Sequence, residues 1–286
     1  MGAAWHCAGM KFGLAFANTG PFASRAGLTE LAQGAEAAGF DSVWTVEHVV
    51  FPTAYQSEYP YDASGKMAMR VDTPLPDPLM WLAFVAAATT TLRLGTGILI
   101  LPQRNPLVLA KELATLDDLS GGRLELGVGV GWLEEEFDAL GVSFADRGAR
   151  TDDMIEILRK AWTADEISHS SEFTEFTGVS VNPKPVAGTV PIHVGGHSRP
   201  AARRAGRVNT ILPYTGYGSP DWVRVLARVV LAKPDAPAAQ RAEKVRGWRS
   251  FLSVPTDDTQ LQVRIGTETF TVPIDRGGVV DVTVPV

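Results

Sequence analysis

The stretch that decides the fold covers residues 92–132, LRLGTGILILPQRNPLVLAKELATLDDLSGGRLELGVGVGW, and reads as strand, loop, helix, turn, strand. Residues 92–101 form an apolar, β-prone run too continuous for a half-wet strand, so both faces should be covered, as in a parallel sheet. Asn105 is a good N-cap, Pro106 suits the first helical turn, and Leu109, Leu113 and Leu116 share one face before Gly121 ends the helix. Residues 124–130 then resume as a second buried strand. Two parallel strands joined by a helix make a right-handed βαβ unit, and its ligand site lies beyond the carboxyl ends of the strands. Those ends are Leu101-Pro102 and Gly129-Val130-Gly131-Trp132. Gly127, Gly129 and Gly131 alternate on one strand face. They either let a flat ring approach the backbone or are small residues filling a barrel interior, and both readings stay open.

Towards the N-terminus, residues 10–17 read as a first strand that opens at a second methionine, so Met10 competes with Met1 as the start of translation. Thr29 is the expected cap of a helix in which Leu28, Leu31, Ala35 and Ala38 share a face, with Gly39 as its stop. Residues 42–45 are the next buried strand. His48 follows its carboxyl end, where loops build a site, and an imidazole there can hydrogen-bond a cofactor or exchange protons near neutral pH. The competing reading is a loop histidine held by Glu47. Residues 50–76 form a long polar and aromatic loop with Tyr55, Tyr59 and Tyr61, of the length that lids and binding loops have. Asp77 and Pro78 open the following helix.

Towards the C-terminus, Glu134, Glu135 and Glu136 read as a solvated acidic turn favoured by a helix dipole, with at least two of the three in solvent. Without histidine or aspartate at ligand spacing they make a poor cation site. A helix is expected over residues 151–163, a β-rich excursion over 168–185, a strand over 191–194 and a short helix over 200–205. The amides of Gly195 and Gly196, the Ser198 hydroxyl and the helix N-terminus compose an anion pocket, to which Arg199 can add charge. His193 and His197 flank two glycines rather than a helical turn, which argues against a zinc pair, so no metal site is assigned.

The 286 residues, 45% hydrophobic and 20% charged, suffice for a sizeable core. A net charge of -6 without a basic run argues against nucleic acid or an acidic membrane as partner and for a small molecule. A single cysteine, Cys7, leaves no internal disulfide, and neither a spanning segment nor a signal peptide is visible, so a reducing cytoplasm is expected.

The segments SVWTVEH at 42–48, the stretch 92–132 and PIHVGGHSRPAARRAGR at 191–207 resemble the luciferase-like flavin and deazaflavin oxidoreductases, especially the branch that uses coenzyme F420. The resemblance runs in order from about residue 10 to 207. It implies a TIM-barrel-like α/β domain, F420 or alternatively FMN in its mouth, and hydride transfer with a small organic substrate. By position, the resemblance makes His48 the catalytic candidate lining the ring pocket. It puts Gly97 and Ile98 at the bulged strand end where the family often holds a non-prolyl cis peptide behind the ring. Gly129, Gly131 and Trp132 stand at the glycine-rich strand end, and Gly195, Gly196 and Ser198 match the phosphate turn. A sugar-phosphate branch carries a proton-donating glutamate after the glycine-rich strand, where this chain has Trp132.

The resemblance ends after Arg207, with too few residues left for three ordinary βα units, although 208–212 can serve as a sixth strand. The barrel is therefore expected to be incomplete, its open edge covered by the tail or by a second copy in a homodimer. Residues 208–286 instead resemble the N-terminal region of bacterial phosphatidate phosphatases of the actin-patch-associated type, but the phosphatase's catalytic aspartate motif is absent. Residues 232–242 read as a linker. Leu261, Val263 and Ile265 alternate with polar residues, and 279–284 has strand composition after a Gly277-Gly278 turn, so the residues after about Val245 are expected to form a small antiparallel unit without catalytic role. The competing function is a catalytically impaired fusion remnant that acts through binding.

Overall fold

A computed structural model of the chain describes residues 11–60, 62, 64–67, 69–196, 198–208, 217–219, 222–228, 260–265, 268–273 and 279–285. Met10, Cys7, Tyr61, His197, the linker at 232–242 and the Gly277-Gly278 turn lie outside the described residues. The chain divides between Gly196 and His197 into two compact units, each taken by itself below.

The larger unit is a parallel sheet flanked by helices. Its strands are β1 (Gly13–Leu14), β2 (Ser42–Thr45), β3 (Arg93–Thr96), β4 (Leu99–Ile100), β5 (Leu124–Gly129) and, after the β6-β7 excursion, β8 (Ile192–Val194). β1 pairs with β2, β2 with β3 and β3 with β5, all parallel. β4 resumes alongside β5 after a cis peptide bond between Gly97 and Ile98, and β8 also pairs with β5 in parallel. Neighbours in sequence are thus neighbours in the sheet, as in an opened barrel. Among the described residues β1 pairs only with β2, and β8 only with β5.

The register separates two faces. Val43, Leu94, Leu126 and Val128 are fully buried on the side of the helices. The opposite face carries Gly13, Ser42, Trp44, Arg93, Gly95, Glu125, Gly127 and His193. Helices α2 (Pro78–Ala88), α3 (Pro106–Ser120) and α5 (Arg147–Thr163) supply the apolar cover. Asp77 caps α2, Asn105 caps α3, and Gly121 closes α3 in the left-handed region at φ 71°, which a side chain would disfavour. The helix expected from Thr29 begins earlier: α1 (Arg25–Ala37) is capped by the Ser24 hydroxyl, which accepts from Gly27 N, while Thr29 back-bonds to the Arg25 carbonyl. Likewise α5 starts at Arg147, one turn ahead of the expected Thr151. The excursion is an antiparallel hairpin of β6 (Ile167–Ser170) and β7 (Glu175–Val179).

Glu36 ties α1 to the turn before β3. Its Oε1 accepts from the backbone N–H of Thr90 at 2.8 Å, Thr91 at 2.6 Å and Leu92 at 3.1 Å, and from the Thr91 hydroxyl at 2.9 Å. The Thr91 amide above all, with the other donors, outweighs desolvation and pulls this carboxyl down from 4.5 to about 2. A depressed folded-state value means that the stabilisation is fully present above pH 4.5 and is lost as pH falls towards about 2. After allowance for solvent screening we expect about 1 kcal/mol. Urea denaturation of the wild type and Glu36→Gln should differ by that amount at neutral pH and converge in strong acid.

In the second unit, α6 (Arg199–Val208) begins where the Ser198 hydroxyl accepts from Ala201 N at 3.3 Å. Val208, expected to open a sixth strand, ends this helix, and 209–212 lie outside the described residues. β9 (Tyr217–Ser219), β10 (Trp222–Arg228) and β13 (Val279–Pro285) form an antiparallel sheet in the order β13-β10-β9, while β11 (Gln260–Ile265) and β12 (Glu268–Pro273) form an antiparallel hairpin. The antiparallel arrangement therefore draws on strands from both sides of the expected linker.

Candidate functional site

Because β1, β2, β4, β5 and β8 run in one direction, the segments after their last residues meet at one end of the sheet. Phe16 and Asn18 follow β1, Glu47 and His48 follow β2, Gln103 and Arg104 follow β4, Gly131 and Trp132 follow β5, and Gly195 and Gly196 follow β8. Gly97 and Ile98 sit between β3 and β4, with Gly97 exposed and Ile98 half-buried.

The glycines of β5 are filled against by the chain itself. A Cβ on Gly127 would fall 1.9 Å from the Thr96 carbonyl oxygen, and one on Gly129 would fall 2.4 Å from Ile98 Cδ1. At Gly131, where φ is 81°, a Cβ would meet the Phe137 ring at 2.6 Å. Gly195 faces Ile98 too, its Cβ position lying 2.8 Å from Cγ2. The flat ring that approaches these strands is that of Trp44, which lies over Gly95, where a Cβ would be 2.3 Å away. Ile98 is thereby seated between Gly129 and Gly195, so the strand ends present an isoleucine side chain rather than bare backbone.

His48 is held from an unexpected side. Its Nδ1 lies 2.9 Å from Glu136 Oε2, while Glu136 Oε1 accepts from Val49 N at 2.7 Å and Val50 N at 3.3 Å. The imidazole edge packs on Phe51 and Trp132, at centroid distances of 5.2 and 5.9 Å, and Tyr55 and Tyr59 add their edges to the same indole. Residues 134–136 are not a solvated turn: they open α4 (Glu134–Ala139), and of the three glutamates Glu134 alone is exposed, Glu135 is half-buried and Glu136 is fully buried. The correction follows from spacing. Leu133 and Phe137, both fully buried, lie on one face, and Glu136 shares it. Glu135 accepts from the backbone N–H groups of Gln56 and Ser57 and from the Ser57 hydroxyl at 2.7 Å, so α4 also anchors the loop that carries the tyrosines. These bonds hold the Glu135 carboxyl down at about 2 although desolvation opposes them.

Glu47 does not hold His48. It turns to the helix side, where its Oε2 accepts from Ile100 N at 2.6 Å and its Oε1 from Arg104, which also reaches Asp77 at 3.0 Å. Burial pushes the Glu47 carboxyl up, with Arg104 opposing. Asn18, fully buried, exchanges two 2.8 Å bonds with the Val46 backbone and joins the end of β1 to that of β2. Phe16 stands beside it with φ 57° and 62% exposure. Neither residue carried a signal in the sequence. On the face opposite the helices His193 Nε2 lies 2.6 Å from Glu125, which also pairs with Arg93 at 2.5 Å, so His193 is engaged there. A separate cavity of about 360 Å³ lies between α5 and the β6-β7 hairpin, lined by Asp153, Lys160 and His169 among others. Among the described residues no three His, Cys, Asp or Glu side chains are placed to hold a metal ion, and no helix is long and apolar enough to cross a membrane.

A parallel α/β sheet in barrel order, with its polar and aromatic cluster beyond the carboxyl ends of the strands, defines the TIM-barrel class of enzyme folds. More closely, the chain belongs to the luciferase-like monooxygenase family, whose model matches residues 10–260 and so runs past Arg207. It is 36% identical over 207 residues to an uncharacterized protein of Mycobacterium tuberculosis, covering 72% of this chain and 71% of that one. It is 32% identical to an FMNH2-dependent dimethylsulfone monooxygenase of Pseudomonas fluorescens, over 63% of this chain and 45% of the relative. Identity is also 32% to an F420-dependent glucose-6-phosphate dehydrogenase of Amycolatopsis mediterranei, over 63% of this chain and 50% of that one. Among solved structures, a monooxygenase from Streptomyces bottropensis superimposes with a TM-score of 0.57 at 33% identity, covering 71% of this chain and 59% of that one. The chain thus spans about half to seven-tenths of the proteins it matches.

Proposed function

We propose that this chain is an oxidoreductase that binds coenzyme F420, with FMN as the competing cofactor, for hydride transfer with a small organic substrate. The observation that carries the reading is the convergence of His48, Trp132 and the Ile98 shelf at one end of a parallel sheet in a family whose relatives include F420- and FMNH2-dependent enzymes. The residues fit such a group: an exposed Gly97 beside a half-buried Ile98 offers an apolar backing for a planar ring. His48 offers a hydrogen-bonding ring nitrogen, Nε2, that has no partner among the described residues, since its bond to Glu136 uses Nδ1.

When bound, the cofactor supplies a ring carbon that takes or gives a hydride. The chain's own part is to back the ring with Ile98, seated by Gly129 and Gly195, and to hold or move a proton at His48. Trp132, tethered through Gly131, keeps water from the imidazole. Gly195, Gly196 and Ser198 are assigned to the cofactor phosphate from their sequence. The 208–286 tail, whose stretch to residue 260 falls within the luciferase-like family match, is proposed to have no catalytic role.

Fluorescence titration with F420 and with FMN tests the reading. With six parallel strands among the described residues, the ring is held on one side and weak saturable binding is expected, stronger for F420. Gly195→Trp or Ser198→Ala should weaken it at least tenfold, about 1.4 kcal/mol. Binding of neither cofactor at any concentration would sink the proposal. Binding without turnover of any added alcohol, aldehyde or sulfone would favour the fusion remnant that acts through binding alone.

A further inference from the structure

We infer that Glu136 sets the tautomer of His48, fixing its proton on Nδ1 and leaving Nε2 as the nitrogen that accepts. The consequence for chemistry rests on the functional reading above, but the tautomer itself does not.

The argument starts from donor and acceptor capacity. A carboxylate only accepts hydrogen bonds. Glu136 Oε1 is taken by the Val49 and Val50 amides at 2.7 and 3.3 Å, which leaves Oε2, 2.9 Å from His48 Nδ1. The hydrogen in that contact comes from the imidazole, so a neutral His48 carries it on Nδ1. The arrangement is rigid. The two side chains are 5% and 1% exposed, α4 is pinned by buried Leu133 and Phe137, and the ring is flanked by the edges of Phe51 and Trp132. The ring therefore cannot flip to exchange its nitrogens without breaking the pair. Nε2 is then the ring atom available to accept a proton or a hydrogen bond from a ligand. Glu136 touches no reacting atom in this account. It is a positioning residue, and the backbone amides of Val49 and Val50 make its orientation independent of the imidazole.

The pair makes a sharp prediction for one substitution. In Glu136→Gln the amide oxygen remains the only acceptor for the Val49 and Val50 N–H groups, so the amide NH2 is turned towards His48. An NH2 group donates, Nδ1 must then accept, and the proton moves to Nε2. The substitution should invert the tautomer while keeping the fold.

Two-bond proton–nitrogen correlation spectra of the full chain, labelled at its histidines and recorded without cofactor above neutral pH, read this directly. His48→Gln identifies the signal. The wild type should show protonated Nδ1 and bare Nε2, and Glu136→Gln the reverse. A wild type with its proton on Nε2 overturns the inference even where Glu136→Gln fails to fold. So does a folded Glu136→Gln with an unchanged pattern. If the wild-type pattern is as expected but neither F420 nor FMN binds, the functional reading fails and the tautomer assignment stands. If cofactor does turn over, Glu136→Gln should displace the pH profile of kcat and leave KM nearly unchanged.

Discussion

Gly127→Ala is expected to cost at least about 3 kcal/mol and to leave much of the barrel unit unfolded at ambient temperature, although it adds a single methyl group. The added carbon would fall 1.9 Å from the Thr96 carbonyl oxygen. That oxygen belongs to a neighbouring strand that cannot retreat, because Thr96 is fully buried and its hydroxyl donates to the Gly127 carbonyl at 2.7 Å. Gly129→Ala, two residues along the same face, makes the informative comparison. Its methyl would meet the Ile98 side chain at its Cδ1, 2.4 Å away, and a flexible end can rotate aside. The cost should be nearer 1 kcal/mol, and Ile98→Ala should relieve it. Urea denaturation followed by circular dichroism separates the cases. Equal midpoints for the two single variants would show that the close approach of β3 and β5 is not what demands glycine.

Arg104→Leu should destabilise the unit by about 3–5 kcal/mol at neutral pH, because it strands a buried carboxylate rather than removing a surface ion pair. The Glu47 side chain is 1% exposed, and among the described residues only the Ile100 amide at 2.6 Å serves it besides Arg104. Burial already raises the Glu47 carboxyl against the pull of Arg104. A folded-state value above the unfolded one means that the native state binds the extra proton, so this group's contribution is full below pH 4.5 and declines as pH rises through the folded value. Without Arg104 the rise is larger and the loss steeper. The deficit of Arg104→Leu should therefore be greatest near about pH 8 and shrink towards about pH 5. Adding Glu47→Gln should recover most of it. A deficit independent of pH, or no recovery in the double variant, would place the effect in the packing of the arginine stem.

Much of the parallel sheet was legible from local chemistry. The strands at 42–45, 93–96, 124–129 and 192–194 were legible from the buried apolar residues of their helix face, among them Val43, Leu94, Leu126 and Val194, although their other face carries Ser42, Arg93, Glu125 and His193. Asp77, Asn105 and Gly121 mark helix ends because capping is a contact between a residue and its immediate neighbours. Ser24 was overlooked in favour of Thr29, since both are acceptable caps and only the apolar contacts of α1 select between them. The position of His48 and Trp132 beyond the carboxyl ends of β2 and β5 also followed from the order of elements.

What the sequence by itself determined is the direction of the strands, the end at which they gather their loops, and the glycines that bring strands close, because periodicity, capping and turn chemistry act over a few residues. Only the tertiary structure decided who occupies the space so created. Trp44 comes from one strand to lie over Gly95 on the next, and Ile98 settles between Gly129 and Gly195. His48 takes its partner from Glu136, 88 residues away, while adjacent Glu47 turns to Arg104. Glu47 and His48 lie just past the end of β2, and each is met by a different element, Arg104 after β4 and Glu136 in α4, because a polar group taken out of water must be paired by whatever the fold packs against it.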